Sequence, residues 1–208
     1  QNLKYPKLDA SIENTYVKHS NAGLSKSAYD SYIRAIRWAS DRIDQYGVIG
    51  FITNAGWIES NSADGMRKCL QEEFSNIYVF NLRGAIRGKS GDVAKREGQN
   101  IFDIMTGVAI TIFVKNSETK GHGKIYFYEV GDYLTKEEKL ERIANLKSIQ
   151  SVTQQDLWQE LTPDKHNDWL NQRDNSFYDH ISLGDKKDKS ETTIFENYSN
   201  GVVTARDA

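Results

Sequence analysis

The chain has 208 residues, with 27 Lys plus Arg against 29 Asp plus Glu, for a formal net charge of −2. At 38% hydrophobic and 27% charged residues the composition is globular and rather polar, which excludes collagen-like, mucin-like and wholly disordered chains. No apolar run approaches the length of a membrane span, and the near-neutral total excludes a broad field attracting nucleic acid, so any DNA contact must come from local basic clusters.

A lone cysteine, Cys69, cannot form an internal disulfide and fits a reducing, cytoplasmic setting. The start, Gln1-Asn2-Leu3-Lys4, has neither an initiator Met nor a signal-peptide pattern, and the end, Ala205-Arg206-Asp207-Ala208, carries no cap. The expectation is a segment of a longer protein.

Residues 1–24 are polar and broken by Pro6 and Gly23, which predicts an irregular lead-in with one short helix around Ser11–Lys18. Tyr29, Tyr32, Ile33, Ile36, Ala39 and Ile43 then recur at helical spacing, predicting a helix over Ser27–Tyr46 that Gly47 terminates. Val48–Thr53 is a short apolar run, as in a strand covered on both faces. A second helix, Ser62–Phe74, carries the apolar stripe Met66, Cys69, Leu70 and Phe74, and a second strand follows at Ile77–Leu82. This alternation argues for an α/β sheet with parallel pairing.

Arg83–Gly98 holds four glycines and the basic residues Arg83, Arg87, Lys89, Lys95 and Arg96, and reads as a mobile loop. Gly107–Lys115 and Lys124–Val130, joined by the turn-rich 116–123, predict an antiparallel hairpin. Thr135 with Glu138 opens a helix to Lys147, and Thr153 with Asp156 opens a short helix ending near Leu161. From Thr162 onward the apolar residues are scattered, as in a segment that wraps a surface or tethers another domain. The organisation expected is therefore a lead-in (1–24), an α/β body (25–150) and an extension (151–208).

Few motifs carry chemistry. The four histidines have no zinc-ligand spacing, so no metal site is expected. Gly84…Gly88-Lys89-Ser90 has the wrong spacing for a phosphate-binding P-loop. Pro163-Asp164 with Asp185-Lys186-Lys187 mimics a nuclease motif, but Leu183–Ser190 is too charged for the buried strand that such a site needs. Cys69 on an apolar stripe reads as a structural thiol. What remains is a constellation at strand ends, where α/β sheets bind ligands: Asn54-Ala55-Gly56-Trp57 after one strand, and the basic loop leading to Phe102 before another. Core packing is the plainer reading of both aromatic rings.

These residues carry a resemblance. Tyr46–Trp57, the helix with Met66-Arg-Lys-Cys-Leu70, and Ile101-Phe102 before Val108–Lys115 resemble the C-terminal half of the amino-group DNA methyltransferases, which methylate N6 of adenine. The nearest likeness is to the single-chain type ISP restriction–modification enzymes, which join nuclease, helicase-like, methylase and specificity domains. The tail Thr162-Pro-Asp-Lys-His166, Asp168-Trp169 and Gly201–Asp207 is similar to their join between methylase and specificity domain.

The resemblance implies a partial Rossmann-like sheet, double-stranded DNA as partner, and S-adenosylmethionine as methyl donor in the full protein. It implies that Phe102 stacks on a flipped adenine, that Trp57 and Asn54 line the same crevice, and that Arg83, Arg87, Lys89, Lys95 and Arg96 reach phosphates. Asn54 stands where the family often has proline. The family's catalytic Asn-Pro-Pro-Tyr and its glycine-rich cofactor loop are absent here and are expected upstream, beside a helicase-like region. This segment then holds no catalytic residue and binds the cofactor weakly at most. The alternative is a DNA-binding or specificity and assembly module without chemistry.

Overall fold

The computed structural model describes residues 4–22, 26–172, 176, 179–184, 190 and 192–195. The chain divides into two units, 1–172 and 173–208. In the second, Ser182 bridges Thr193, and the Ile194 and Phe195 amides donate to the Ser182 and Leu183 carbonyls. The Gly201–Asp207 part of the tail and the Asp185–Lys187 triplet lie outside the described residues.

The first unit is an α/β structure with one open five-stranded sheet, a partial Rossmann-like arrangement. Its strands are β1 (Tyr46–Asn54), β2 (Asn76–Asn81), β3 (Val108–Asn116), β4 (Lys124–Glu129) and β5 (Gln159–Leu161), in the order β1-β3-β2-β4-β5. Strand β3 runs antiparallel to both β1 and β2, which therefore flank it in the same direction, and β4 joins β2 in parallel.

The expected hairpin of β3 with β4 does not form. Both edges of β3 are already taken, so the chain must pass beyond β2 before it can pair. Gly123 makes the crossing possible: its amide donates to the Gln71 carbonyl at 2.7 Å, and a Cβ there would sit 1.9 Å from the Phe74 carbonyl oxygen. Strand β4 then enters on the far side of β2.

Helices α1 (Pro6–Ile12, continued by a π turn over Glu13–Val17), α2 (Ser31–Ser40) and α4 (Asp64–Glu73) cover one face of the sheet. Ile12, Tyr16, Ile33, Ile36, Met66, Leu70 and Phe74 pack there with Ile49, Ile77, Val79, Phe113 and Ile125. Helix α2 ends earlier than its apolar spacing predicts, and Gly47 lies inside β1 instead of capping the helix. A Cβ at Gly47 would meet the Ile43 side chain at 2.6 Å, so the glycine serves this close packing. Cys69 is buried in the same layer, which pushes its thiol up to about 12.

On the opposite face, α6 (Lys136–Leu146) and α7 (Ile149–Gln154) lie with Trp158 over Tyr78, Phe80, Ile110 and Ile112, lining an apolar pocket of about 180 Å³ that opens to solvent. The Thr135–Glu138 capping box opens α6 as expected. No helix starts at Thr153. The Ser148 hydroxyl instead caps α7, Asp156 turns into the left-handed region at φ 53°, and the chain continues as β5. Val48 and Ile52 of β1 are exposed, and β1 is an edge of the sheet. Among the described residues no helix is long and apolar enough to cross a membrane.

Candidate nucleic-acid interface

The C-terminal ends of the parallel strands β1, β2 and β4 lie at one end of the sheet, beside the start of β3. Asn54, Asn81, Glu129 and Gly107 come together there and line a crevice of about 400 Å³ with Arg83, Arg87, Lys89, Glu97 and Met105. This is where an open α/β sheet places its ligand crevice. Asn54 closes the turn after β1, its Oδ1 accepting from the Gly56 amide at 2.7 Å.

The Arg83–Gly98 segment is folded, contrary to the expected mobile loop. It contains a short helix, α5 (Gly91–Arg96), and is organised around Glu97. The Glu97 carboxylate accepts from the Lys89 ammonium at 2.5 Å and from the Ala85 amide at 3.1 Å. Burial pushes this carboxyl up, but Lys89, the Ala85 amide and Arg83 outweigh it and hold the group below its ordinary value. The fully buried Lys139 donates to the Leu82 and Glu97 carbonyls at 2.9 and 2.8 Å, tying both ends of the segment to α6. Desolvation lowers that amine to about 8.

The five basic residues divide accordingly. Arg83 pairs with Glu129 at 2.6 Å and Asp132 at 2.7 Å, Lys89 with Glu97, and Arg96 with Asp92 at 3.2 Å. Arg87 and Lys95 are exposed and have no ion pair among the described residues. Arg83 and Lys89 thus hold protein structure first, while Arg87 and Lys95 are the cations open to a phosphate.

Phe102 stands on the turn that leads into β3, and its ring is 53% exposed. Asn100 fixes this turn from beneath: its Nδ2 donates to the Thr106 carbonyl at 2.7 Å and its Oδ1 accepts from the Phe102 amide at 2.9 Å. The Met105 carbonyl accepts from the Ile86 and Arg87 amides. Trp57 is placed differently. Its ring is 1% exposed, edge-on to Trp169 at 5.4 Å and tilted on Phe113 at 6.2 Å. The backbone of 54–56 lines the crevice, but α3 (Gly56–Glu59) turns the indole inward, so Trp57 is a core residue and not a wall of the crevice. Phe102 and Trp57 are therefore not brought together on one surface.

Several residues here escaped the sequence reading. Asn81, Glu97 and Glu129 shape the crevice, and Arg67 anchors the tail, donating to the Trp57, Ser60 and Asn167 carbonyls and to Asp168. The acids within and just after the basic stretch, Asp92 and Glu97, were a signal that its charges are internally matched. No group of three or more His, Cys, Asp or Glu among the described residues could hold a metal ion.

No family model and no curated protein matches the chain. Solved structures do. An ATP-dependent type ISP restriction–modification enzyme, LlaBIII, bound to DNA is 48% identical with a TM-score of 0.87 over 93% of this chain. A nuclease-deletion mutant of the type ISP enzyme LlaGI, in complex with a DNA substrate mimic, is 40% identical with a TM-score of 0.81 over 90% of the chain. A complex of DrdV with DNA is 33% identical with a TM-score of 0.82 over the whole chain. This chain spans only 12%, 17% and 20% of those three proteins. It is therefore related to restriction–modification enzymes, of which it matches one segment.

Proposed function

We propose that the chain is the substrate-side half of a site-specific DNA N6-adenine methyltransferase domain within a restriction–modification enzyme. One observation supports this reading: Phe102 holds a half-exposed ring on a pinned turn, outside the crevice lining but three residues from Met105, which lines it. Stacking on such a ring offsets what an adenine loses on leaving the duplex, by roughly 1–3 kcal/mol per base. Arg87 and Lys95 would contact phosphates and hold register without reading sequence. The DNA in the related complexes fits this role.

S-adenosylmethionine is the methyl donor that the reading requires in the full protein. The carboxylates Glu97 and Glu129 in the crevice pair with Lys89 and Arg83. The cofactor and the catalytic Asn-Pro-Pro-Tyr belong to preceding polypeptide, whose strands would pair with the open edge of β1. Helicase-like and specificity regions of the same polypeptide are its further partners.

A second reading, a DNA-binding or assembly module without chemistry, draws on the folded state of Arg83–Gly98 and the internal pairing of its cations. Phe102→Ala in the full-length protein separates the two. The first reading expects unchanged folding and adenine methylation reduced tenfold or more, by about the loss of one stacked base. Methylation at the wild-type rate would leave only the second reading. Calorimetric titration of this chain with S-adenosylmethionine tests the boundary, since sub-micromolar binding would place the cofactor site inside it.

A further inference from the structure

Ile104 and Met105 are 48% and 52% exposed, directly after Phe102 on the same turn. Scattered exposed apolar side chains are ordinary on protein surfaces. These are consecutive, and the backbone that presents them is fixed. Asp103 sits at φ 58° with its carboxylate on Lys136 at 2.5 Å. Asn100 ties the turn at Phe102 and Thr106, and the Met105 carbonyl is held by two amides. One of these amides belongs to Arg87, an exposed cation without an ion pair among the described residues. A rigid apolar tip beside a free cation suits a partner with stacked apolar faces inside a rail of negative charge. Duplex DNA is that partner, and protein side chains of this kind enter base steps and kink them.

We propose that Ile104 and Met105 form a wedge that enters the DNA stack beside the target base, propping open the gap that the flipped nucleotide leaves. This rests on the methyltransferase reading for the identity of the base, but insertion itself can be observed without methyl transfer. The wedge and the stacking ring have separate tasks. Phe102 holds the base outside the duplex, and Ile104 with Met105 oppose its return.

The test uses the full-length protein and nicked plasmid circles carrying repeats of the sequence that it protects in footprinting, religated without nucleotide. Wild type is expected to shift the linking-number distribution, and Ile104→Ala/Met105→Ala is expected not to, with unchanged thermal unfolding and at protein concentrations that give each a complete footprint. Ile104→Leu, which keeps apolar bulk, retains the shift. No shift from wild type, or an equal shift from the double variant, overturns the wedge. Methylation then reports on the parent reading separately. The double variant should lose about tenfold on a paired duplex and recover when the target adenine faces an abasic site, where opening costs less. A shift from wild type without adenine methylation keeps the wedge and removes the methyltransferase assignment.

Discussion

Arg67 and Asp168, 101 residues apart in sequence, form a buried ion pair with Nη2 donating to the carboxylate at 2.5 Å. Asp168 belongs to the turn that Asp164 organises by accepting from the His166 and Asp168 amides, and Trp169 follows it onto Trp57. The pair thus fastens residues 162–170 to the helix behind the crevice. Removing one member of such a pair strands a buried charge at a cost of about 3–5 kcal/mol. Asp168→Ala should lower stability by that order in urea unfolding. A loss below about 1 kcal/mol, the range of an exposed pair, would contradict the burial described.

Trp57 and Phe102 should respond oppositely to truncation. Trp57→Ala removes a core indole and is expected to cost about 3–5 kcal/mol. Phe102→Ala should stay within about 0.5 kcal/mol, as for other surface positions. Chemical denaturation of both variants reads the difference directly, and equal losses would mean that Phe102 is packed.

The basic residues separate in DNA binding by the full-length protein. Arg87→Ala and Lys95→Ala should each weaken binding across sequences and reduce the salt slope by about one unit. Arg83→Ala should instead loosen the Arg83–Gly98 segment, because it removes the partner of Glu129 and Asp132. Hydrogen exchange of that segment, followed beside fluorescence-anisotropy titrations at several salt concentrations, distinguishes these effects.

Lys139 makes stability depend on pH. Burial lowers its amine to about 8 in the folded chain, against 10.5 for an ordinary lysine. Between these values the unfolded chain binds more protons, so stability from this group rises as pH increases through that window. A neutral amine still has two N–H groups for the Leu82 and Glu97 carbonyls, so deprotonation leaves both bonds intact. Between pH 7.5 and about 10 the urea midpoint of wild type should rise relative to that of Lys139→Met. An identical pH dependence in both would refute the lowered value.

The edge of β1 carries the remaining expectation. Its exposed Val48 and Ile52, with unpaired backbone groups, make it a template for another strand. The isolated chain should self-associate in sizing chromatography, and Val48→Lys/Ile52→Lys should suppress this. Monomeric behaviour of the wild type at high concentration would count against a missing neighbour.

Local pattern determined the elements. The stripe of Met66, Cys69, Leu70 and Phe74, the runs that became β1 to β4, and the Thr135–Glu138 box were legible because helix and strand periodicity and capping depend on neighbours in sequence. The exposure of Phe102 also followed from the stacking role that the resemblance implies for it. Tertiary structure alone decided that β3 lies between β1 and β2, because strand order rests on which edges are free and on a close passage at Gly123 that no local signal encodes. It also decided that Trp57 faces inward, since Trp169 covers it from 112 residues away, and that two of the loop's five cations are answered by Glu97, Glu129 and Asp132. Periodicity sees the chain one segment at a time, while burial and ion pairing depend on segments that meet only after folding.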